Sequence, residues 1–232
     1  MLPLALAIAP GLAICLFIYS RDRFNREPPR YLIISFVLGM LSTVPALFIE
    51  IIGGDLRRHF SHQSIWSYAA YAYGVVACSE ELSKFLVLRF YAYPKKAFDE
   101  PFDGIIYAVM IAMGFATVEN IEYVERFGIG TGIVRFFLSV PAHASFAVLM
   151  GYFVGQAKQH TRRAGLLMLL GILIAIFFHG TFDFFLFLQQ NKKVTQYVSE
   201  GLLSFGAFVT FYIAIRMALR TIRNYRYLPD EK

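Results

Sequence analysis

Glu80, Glu81 and Lys84 stand in the stretch Ser-Glu-Glu-Leu-Ser-Lys, inside an otherwise apolar run where ionisable groups are rare. Three further apolar runs carry such groups: Glu119 with Asn120 in Gly-Phe-Ala-Thr-Val-Glu-Asn, His143 in Val-Pro-Ala-His-Ala-Ser, and His179 with Asp183 in Phe-Phe-His-Gly-Thr-Phe-Asp. A charged side chain at mid-bilayer costs roughly 2.5–3.5 kcal/mol on insertion scales, so these groups should face a bundle interior and serve a purpose. On a helix Glu80 and Lys84 are i,i+4 neighbours and Glu81 and Lys84 are i,i+3, so one ammonium reaches either carboxylate. His179 and Asp183 are also i,i+4, which lets the carboxylate orient the imidazole. Adjacent glutamates with histidines nearby are parts for general acid–base chemistry. Hydrolysis of a peptide bond needs a water held against the base and donors for the oxyanion. His143 and His179 can supply those donors, or ligate zinc together with a carboxylate.

Taken singly, each group has a structural explanation. A buried carboxylate beside a lysine can be an ion pair with no further role. A lone membrane histidine usually satisfies an interhelical hydrogen bond. Glu50, Glu122 and Glu125 lie toward span ends and read as solvated or interfacial, and Phe115 reads as packing. Six ionisable groups at one depth are another matter, and that coincidence points to function.

The elements that must position them are membrane helices. Hydrophobic residues make up 57% of the 232 and charged residues 16%, against roughly 45–50% and about 25% in soluble domains. The apolar surplus falls into runs near the ~20 residues that cross a bilayer as a helix, too long and too uniform for barrel strands. The expected fold is all-α, a polytopic transmembrane bundle of about seven spans. They are read at about 2–20, 31–53, 65–92, 104–125, 132–155, 164–188 and 198–219, with residues 1–232 forming one membrane-embedded domain. Leu2 to Tyr19 has no preceding Lys or Arg and contains Pro3 and Pro10, so it reads as an uncleaved first span rather than a signal peptide. One set of loops holds Arg21, Arg23, Arg26, Arg30, Lys95, Lys96, Lys158, Arg162, Arg163, Arg220, Arg223, Arg226 and Lys232, and the other only Arg57, Arg58, Arg126, Lys192 and Lys193. The bias places the N-terminus outside and the C-terminus in the cytoplasm. The net charge of +6 is thus a topology signal, and no basic face suited to nucleic acid exists. Cys15 and Cys78 lack metal-ligand spacing and read as packing residues. At 1.5 Å per residue, Glu80, Glu119, His143 and His179 all land within a few turns of the midplane, where one water-containing cavity can collect them.

Three intramembrane protease patterns are absent: His-Glu-x-x-His, Gly-x-Gly-Asp and a serine in a Gly-x-Ser context, while Asp103 and Asp183 make a poor aspartyl pair. What remains is Glu-Glu-x-x-Lys (Glu80, Glu81, Lys84), Phe-x-x-x-Glu-Asn (Phe115, Glu119, Asn120), His143 and His-x-x-x-Asp (His179, Asp183). This order resembles the PrsW family of bacterial membrane proteases. The likeness extends to Ile-Ala-Pro-Gly at 8–11, Asp-Arg-Phe-Asn-Arg-Glu-Pro-Pro at 22–29 and Phe-Asp-Glu-Pro-Phe-Asp-Gly-Ile-Ile-Tyr at 98–107. The resemblance implies a multi-pass bacterial plasma-membrane endopeptidase that makes the extracytoplasmic site-1 cut in a single-span anti-sigma factor during a stress response, before a site-2 protease cuts again. The family is similar to CAAX prenyl endopeptidases and bacteriocin-immunity-type membrane proteases. By motif position it implies that Glu80 or Glu81 activates water, with His143 and His179 stabilising the oxyanion or orienting the glutamate. Glu119, Asp183, Lys84 and Asn120 complete the set. Glu119 stands where the prenyl endopeptidases have a histidine, so their water-sharing scheme does not transfer directly. The preferred reading is metal-free, glutamate-driven hydrolysis, with zinc on Glu81, Glu119, His143 and His179 as the alternative. A proton-coupled transporter or ligand sensor built on the same cluster is the competing function, and cleavage of lipid-linked peptides is a further substrate class.

Overall fold

Prolines set where several of these helices begin and break. Pro29 and Pro101 open helices at their first turn, where a missing N–H costs nothing. Pro45 cannot donate to the Leu41 carbonyl and crowds it, and the chain breaks there between α2 (Pro29–Leu41) and α3 (Thr43–Phe60). The hydroxyls of Ser42 and Thr43 take up the Gly39 and Met40 carbonyls, each at 2.7 Å. Pro141 does the same to Phe137, dividing one apolar run into a short α7 (Ile129–Phe137) and α8 (Ser139–Gln159). The runs read as single spans at 31–53 and 132–155 are therefore each two helices.

The protein was analysed as a computed structural model that describes residues 2–22, 25–60 and 64–225, with the side chains of 3–22, 25–55 and 64–225. Arg23, Arg226 and Lys232, and the side chains of Arg57 and Arg58, lie outside the described residues. The remaining helices are α1 (Leu2–Arg21), α4 (Ile65–Ala69), α5 (Cys78–Val87), α6 (Pro101–Phe127), α9 (Ala164–Leu188), α10 (Lys192–Thr195) and α11 (Glu200–Tyr225). Two π-helical stretches, Ala70–Ala77 and Leu88–Ala92, flank α5, so 65–92 is a continuous but irregular helix. No strand occurs among the described residues.

Among the described residues, six helical runs are long and apolar enough to cross a bilayer: Pro3–Arg21, Pro29–Asp55, Pro101–Phe127, Ile129–Gln159, Thr161–Leu188 and Glu200–Tyr225. The segment 65–92 is not among them, and it carries Glu80, Glu81, Lys84 and Arg89. It still runs the length of the bundle antiparallel to α9. At one end Tyr71 and Tyr73 meet Phe187 and Phe184. At the other, the Tyr93 hydroxyl donates to the Ala157 carbonyl at the close of α8.

The axis of the bundle is α6. Its apolar window is 83% buried, against 28–33% for α1, the α2–α3 run, α9 and α11, which turn their remaining faces to lipid. It packs on α1, α2 and α8, and α9 lies against α8, α11 and the π-helical stretch Ala70–Ala77. Glycines permit the closest approaches. A Cβ on Gly39 would strike the Ile111 carbonyl, one on Gly114 the Phe36 carbonyl, and one on Gly155 the Pro101 carbonyl. With lipid as apolar as any side chain, such backbone proximity is what holds membrane helices together.

One end of the bundle gathers the connections rich in basic residues. Asn25 donates to Asp99 at 2.9 Å, Lys158 to the Tyr93 carbonyl at 2.7 Å, and Lys95 lies 5.2 Å over the Tyr31 ring. Phe102 meets Tyr225 at the end of α11. Here Asp22 and residues 25–29 meet the stretch 98–107. Glu100 and Asp103 form a reciprocal capping box for α6, the Glu27 amide donates to Asp22, and the Tyr107 hydroxyl donates to the Glu27 carboxylate. Phe98 stacks on Tyr107 at 5.7 Å. Glu27 is 2% exposed, and burial pushes its carboxyl up to about 7.

Candidate active site

A π turn adds a residue to a helical turn and rotates everything after it relative to the preceding face. The stretch Ala70–Ala77 does this just before α5, whose first turn carries Glu80 and Glu81 into the bundle interior. Pro141 restarts the helix two residues before His143, and α6 and α9 contribute Glu119, His179 and Asp183 from continuous helices.

Lys84 is the hub. Its ammonium donates to Glu80 Oε2 at 3.0 Å and to Glu81 Oε1 at 2.8 Å, and lies 3.2 Å from His143 Nδ1. It also sits 4.1 Å above the Phe115 ring, so that aromatic is a cation–π platform as well as packing. Because Lys84 can only donate, Nδ1 of His143 accepts, which leaves Nε2 to donate to Glu119 Oε2 at 3.0 Å. His179 places Nδ1 2.8 Å from Glu81 Oε1 and Nε2 3.2 Å from Asp183 Oδ2. Its ring stacks on Phe146 at 5.4 Å and meets His143 edge-on at 5.1 Å.

Glu80, Glu81, Lys84, Glu119, His143, His179 and Asp183 thus form one connected network drawn from four helices. Asn120 stands a layer out, accepting from Arg135 at 2.6 Å and donating to the Ala7 carbonyl at 3.4 Å. Two neighbours were not marked as site residues by the sequence. Arg135, three residues into the run read as a span, approaches Glu119 Oε2 at 2.8 Å. Its position near the span end is where an arginine ordinarily snorkels outward, which hid it. Glu50, read as interfacial, faces the cluster, within Coulombic range of Glu80, Glu119, His179 and Asp183, and accepts from Ser79 at 3.4 Å. Glu122 pairs with Arg126 at the surface, as its place near the span end suggested.

Side-chain exposure rises from 2% at Glu81 and 5% at Glu80 to 15% at Asp183 and 18% at Glu119. The more exposed members of the cluster are thus the ones toward the C-terminal ends of α6 and α9, away from the end that gathers the basic connections.

One ligand atom each from Glu80, Glu81, His143 and His179 lie within 4.8 Å of one another, all four residues buried. Each histidine presents Nδ1 inward, while a carboxylate, Glu119 or Asp183, holds its Nε2. That is the outer support typical of histidines that bind a metal. The network holds four carboxylates (Glu80, Glu81, Glu119, Asp183) against the cation Lys84, with Arg135 and Glu50 beside it, an excess of acidic groups that a divalent ion would offset. The donors fit such an ion; the Lys84 ammonium, now beside three of them, is the group that would have to move aside.

A polytopic helical bundle with a buried carboxylate–histidine cluster is an architecture suited to hydrolysis within the membrane. Residues 27–217 match the family described as PrsW family intramembrane metalloprotease, and the chain belongs to that family. Relatives named Protease PrsW include those of Clostridioides difficile, 38% identical over 198 residues covering 82% of this chain and 81% of that protein. The Geobacillus kaustophilus protein is 34% identical over 184 residues, 79% of each. That of Bacillus subtilis is 32% identical over 185 residues, 79% of this chain and 82% of its own. No solved structure gives a significant match. Membership makes the chain a membrane peptidase, which decides against the transporter and sensor readings.

Proposed function

We propose that the protein makes the first, extracytoplasmic cut in a single-span membrane protein, an anti-sigma factor, with Glu80 activating the attacking water. The observation that carries this reading is the convergence of Glu80, Glu81, His143 and His179 in one buried cluster, whose more exposed neighbours Glu119 and Asp183 lie toward the end opposite the basic loops. With those loops cytoplasmic, that side of the cluster faces outward.

The two glutamates divide the work. Glu81 is the more buried, and its Oε1 takes both Lys84 and His179, so it fixes those two groups. Glu80 Oε2 accepts from Lys84, with His179 Nε2 4.0 Å away. Glu80 takes a proton from water as the water oxygen bonds to the scissile carbonyl carbon. The Lys84 ammonium or an N–H of His179 receives the charge that develops on the carbonyl oxygen, while His143, its Nδ1 accepting from Lys84, orients that ammonium. Glu80 then passes its proton to the departing amide nitrogen as the C–N bond breaks, giving a carboxyl and an amine end. A divalent ion on Glu80, Glu81, His143 and His179 would polarise the carbonyl and the water. The family description favours such an ion. The metal-free alternative, preferred from the sequence, draws support from Lys84, a cation already placed among the donors.

The test is purified protein in liposomes with a single-span substrate. Glu80→Gln should slow cleavage by about 10²–10⁴-fold, the usual worth of a general base, and Glu81→Gln and His179→Ala should also impair it. Wild-type rates in all three variants would sink the assignment. Metal content measured beside a chelator series separates the two forms: chelator-resistant cleavage by metal-free protein selects the glutamate-only route, and zinc-restored activity selects the metal.

A further inference from the structure

We infer that Arg135 is a positioning residue for the cleavage reaction, acting through Glu119 on His143; this rests on the reading of that histidine as part of the active site. Arg135 is 8% exposed on the short helix α7, and its side chain turns inward to Glu119 and Asn120. Nη2 lies 2.8 Å from Glu119 Oε2 as an ion pair off the hydrogen-bonding angle, while Nε donates to Asn120 Oδ1 at 2.6 Å. The guanidinium rests 4.0 Å over the Tyr123 ring. One arginine therefore grips two consecutive residues of α6 and stacks on a third, and Asn120 is anchored in turn to α1 through the Ala7 carbonyl.

The oxygen that Arg135 approaches is the one that accepts from His143 Nε2. An ionised, fixed Glu119 keeps the proton on Nε2 and the Nδ1 lone pair pointed at the reacting centre. Without the guanidinium, Glu119 is a half-buried carboxylate that keeps the His143 imidazole but loses its fixed cation, free to rotate away from the cluster. The imidazole then loses both its tautomer and its aim. A lysine supplies the charge but has no planar fork to hold Glu119 and Asn120 together.

The experiment compares Arg135→Gln, Arg135→Lys, Glu119→Gln and the double variant Arg135→Gln/Glu119→Gln with wild type in single-turnover cleavage, beside Glu80→Gln. Groups that orient a catalytic or metal-binding histidine cost about 10–100-fold when removed. Arg135→Gln should therefore lower kcat in that range and leave KM within about twofold. In the Glu119→Gln background the same change should add less than about threefold, because its target is gone, whereas a merely structural arginine would cost the same in both. Arg135→Lys should fold and lose several-fold in kcat. Should Arg135→Gln not fold, the lysine variant decides alone: full kcat there overturns the inference. Equal losses with and without Glu119 also overturn it. If Glu80→Gln cuts normally the active-site reading itself has failed, whereas a dead Glu80→Gln beside a fully active Arg135→Gln removes Arg135 only.

Discussion

Replacing Lys84 with Met deletes one ammonium and leaves a side chain of similar length over the Phe115 ring. In the native protein that ammonium lies 3.0 Å from Glu80, 2.8 Å from Glu81 and 3.2 Å from His143, and all four side chains are buried. Removing one member of a buried ion pair strands its partner, at a cost of about 3–5 kcal/mol. Here two adjacent carboxylates are stranded together, so the upper end of that range applies. For a chain of this length each kcal/mol moves the midpoint by about 2–4 °C, so Lys84→Met in chelator should unfold about 10–20 °C below wild type. Two further arms test the cause. Glu81→Gln/Lys84→Met removes one of the two stranded charges and should recover part of the loss. Zinc at a hundredfold excess over its dissociation constant should return about 2.7 kcal/mol to Lys84→Met, since the competing cation is gone. The assay is thermal unfolding in detergent followed by circular dichroism, with and without chelator. A Lys84→Met midpoint within 2 °C of wild type, or a double variant no more stable than the single, would refute the view that Lys84 holds the carboxylates.

Three other outcomes are expected. Gly39→Ala places a methyl against the Ile111 carbonyl, which backbone cannot vacate, so α2 and α6 must part; overpacking of this kind should cost about 1–3 kcal/mol in a denaturant titration. Glu27 is held at about 7 by burial against an ordinary 4.5, so its contribution is full below pH 4.5 and lost as pH rises through 7. Glu27→Gln should flatten that dependence and stabilise the protein above pH 7, by at most about 3 kcal/mol, read as midpoints against pH. A cysteine at His160, in a background with Cys15 and Cys78 replaced, should be labelled by an impermeant reagent only after cells are opened; labelling of intact cells would invert the topology.

The sequence alone was enough for the membrane-spanning helices, the order of the four polar motifs and their common depth. These depend on hydropathy and on a fixed rise per residue, both local properties. The family, too, could be read from those motifs. Sequence could not show which way each side chain turns. The π-helical stretch Ala70–Ala77 shifts the face on which Glu80 and Glu81 emerge, and no helical wheel drawn from 65 onward includes that added residue. Pro141 splits a single apolar run, so Arg135 sits on its own short helix and turns inward where an outward snorkel was the default. Glu50 had the position of an interfacial residue, and only the packing of α3 against α5 aims it at the cluster. The unequal surroundings of Glu80 and Glu81 come from His179, 98 residues away along the chain. The ionisable groups and their depth are set by sequence; their pairing is set by contacts between distant helices, which only the tertiary structure decides.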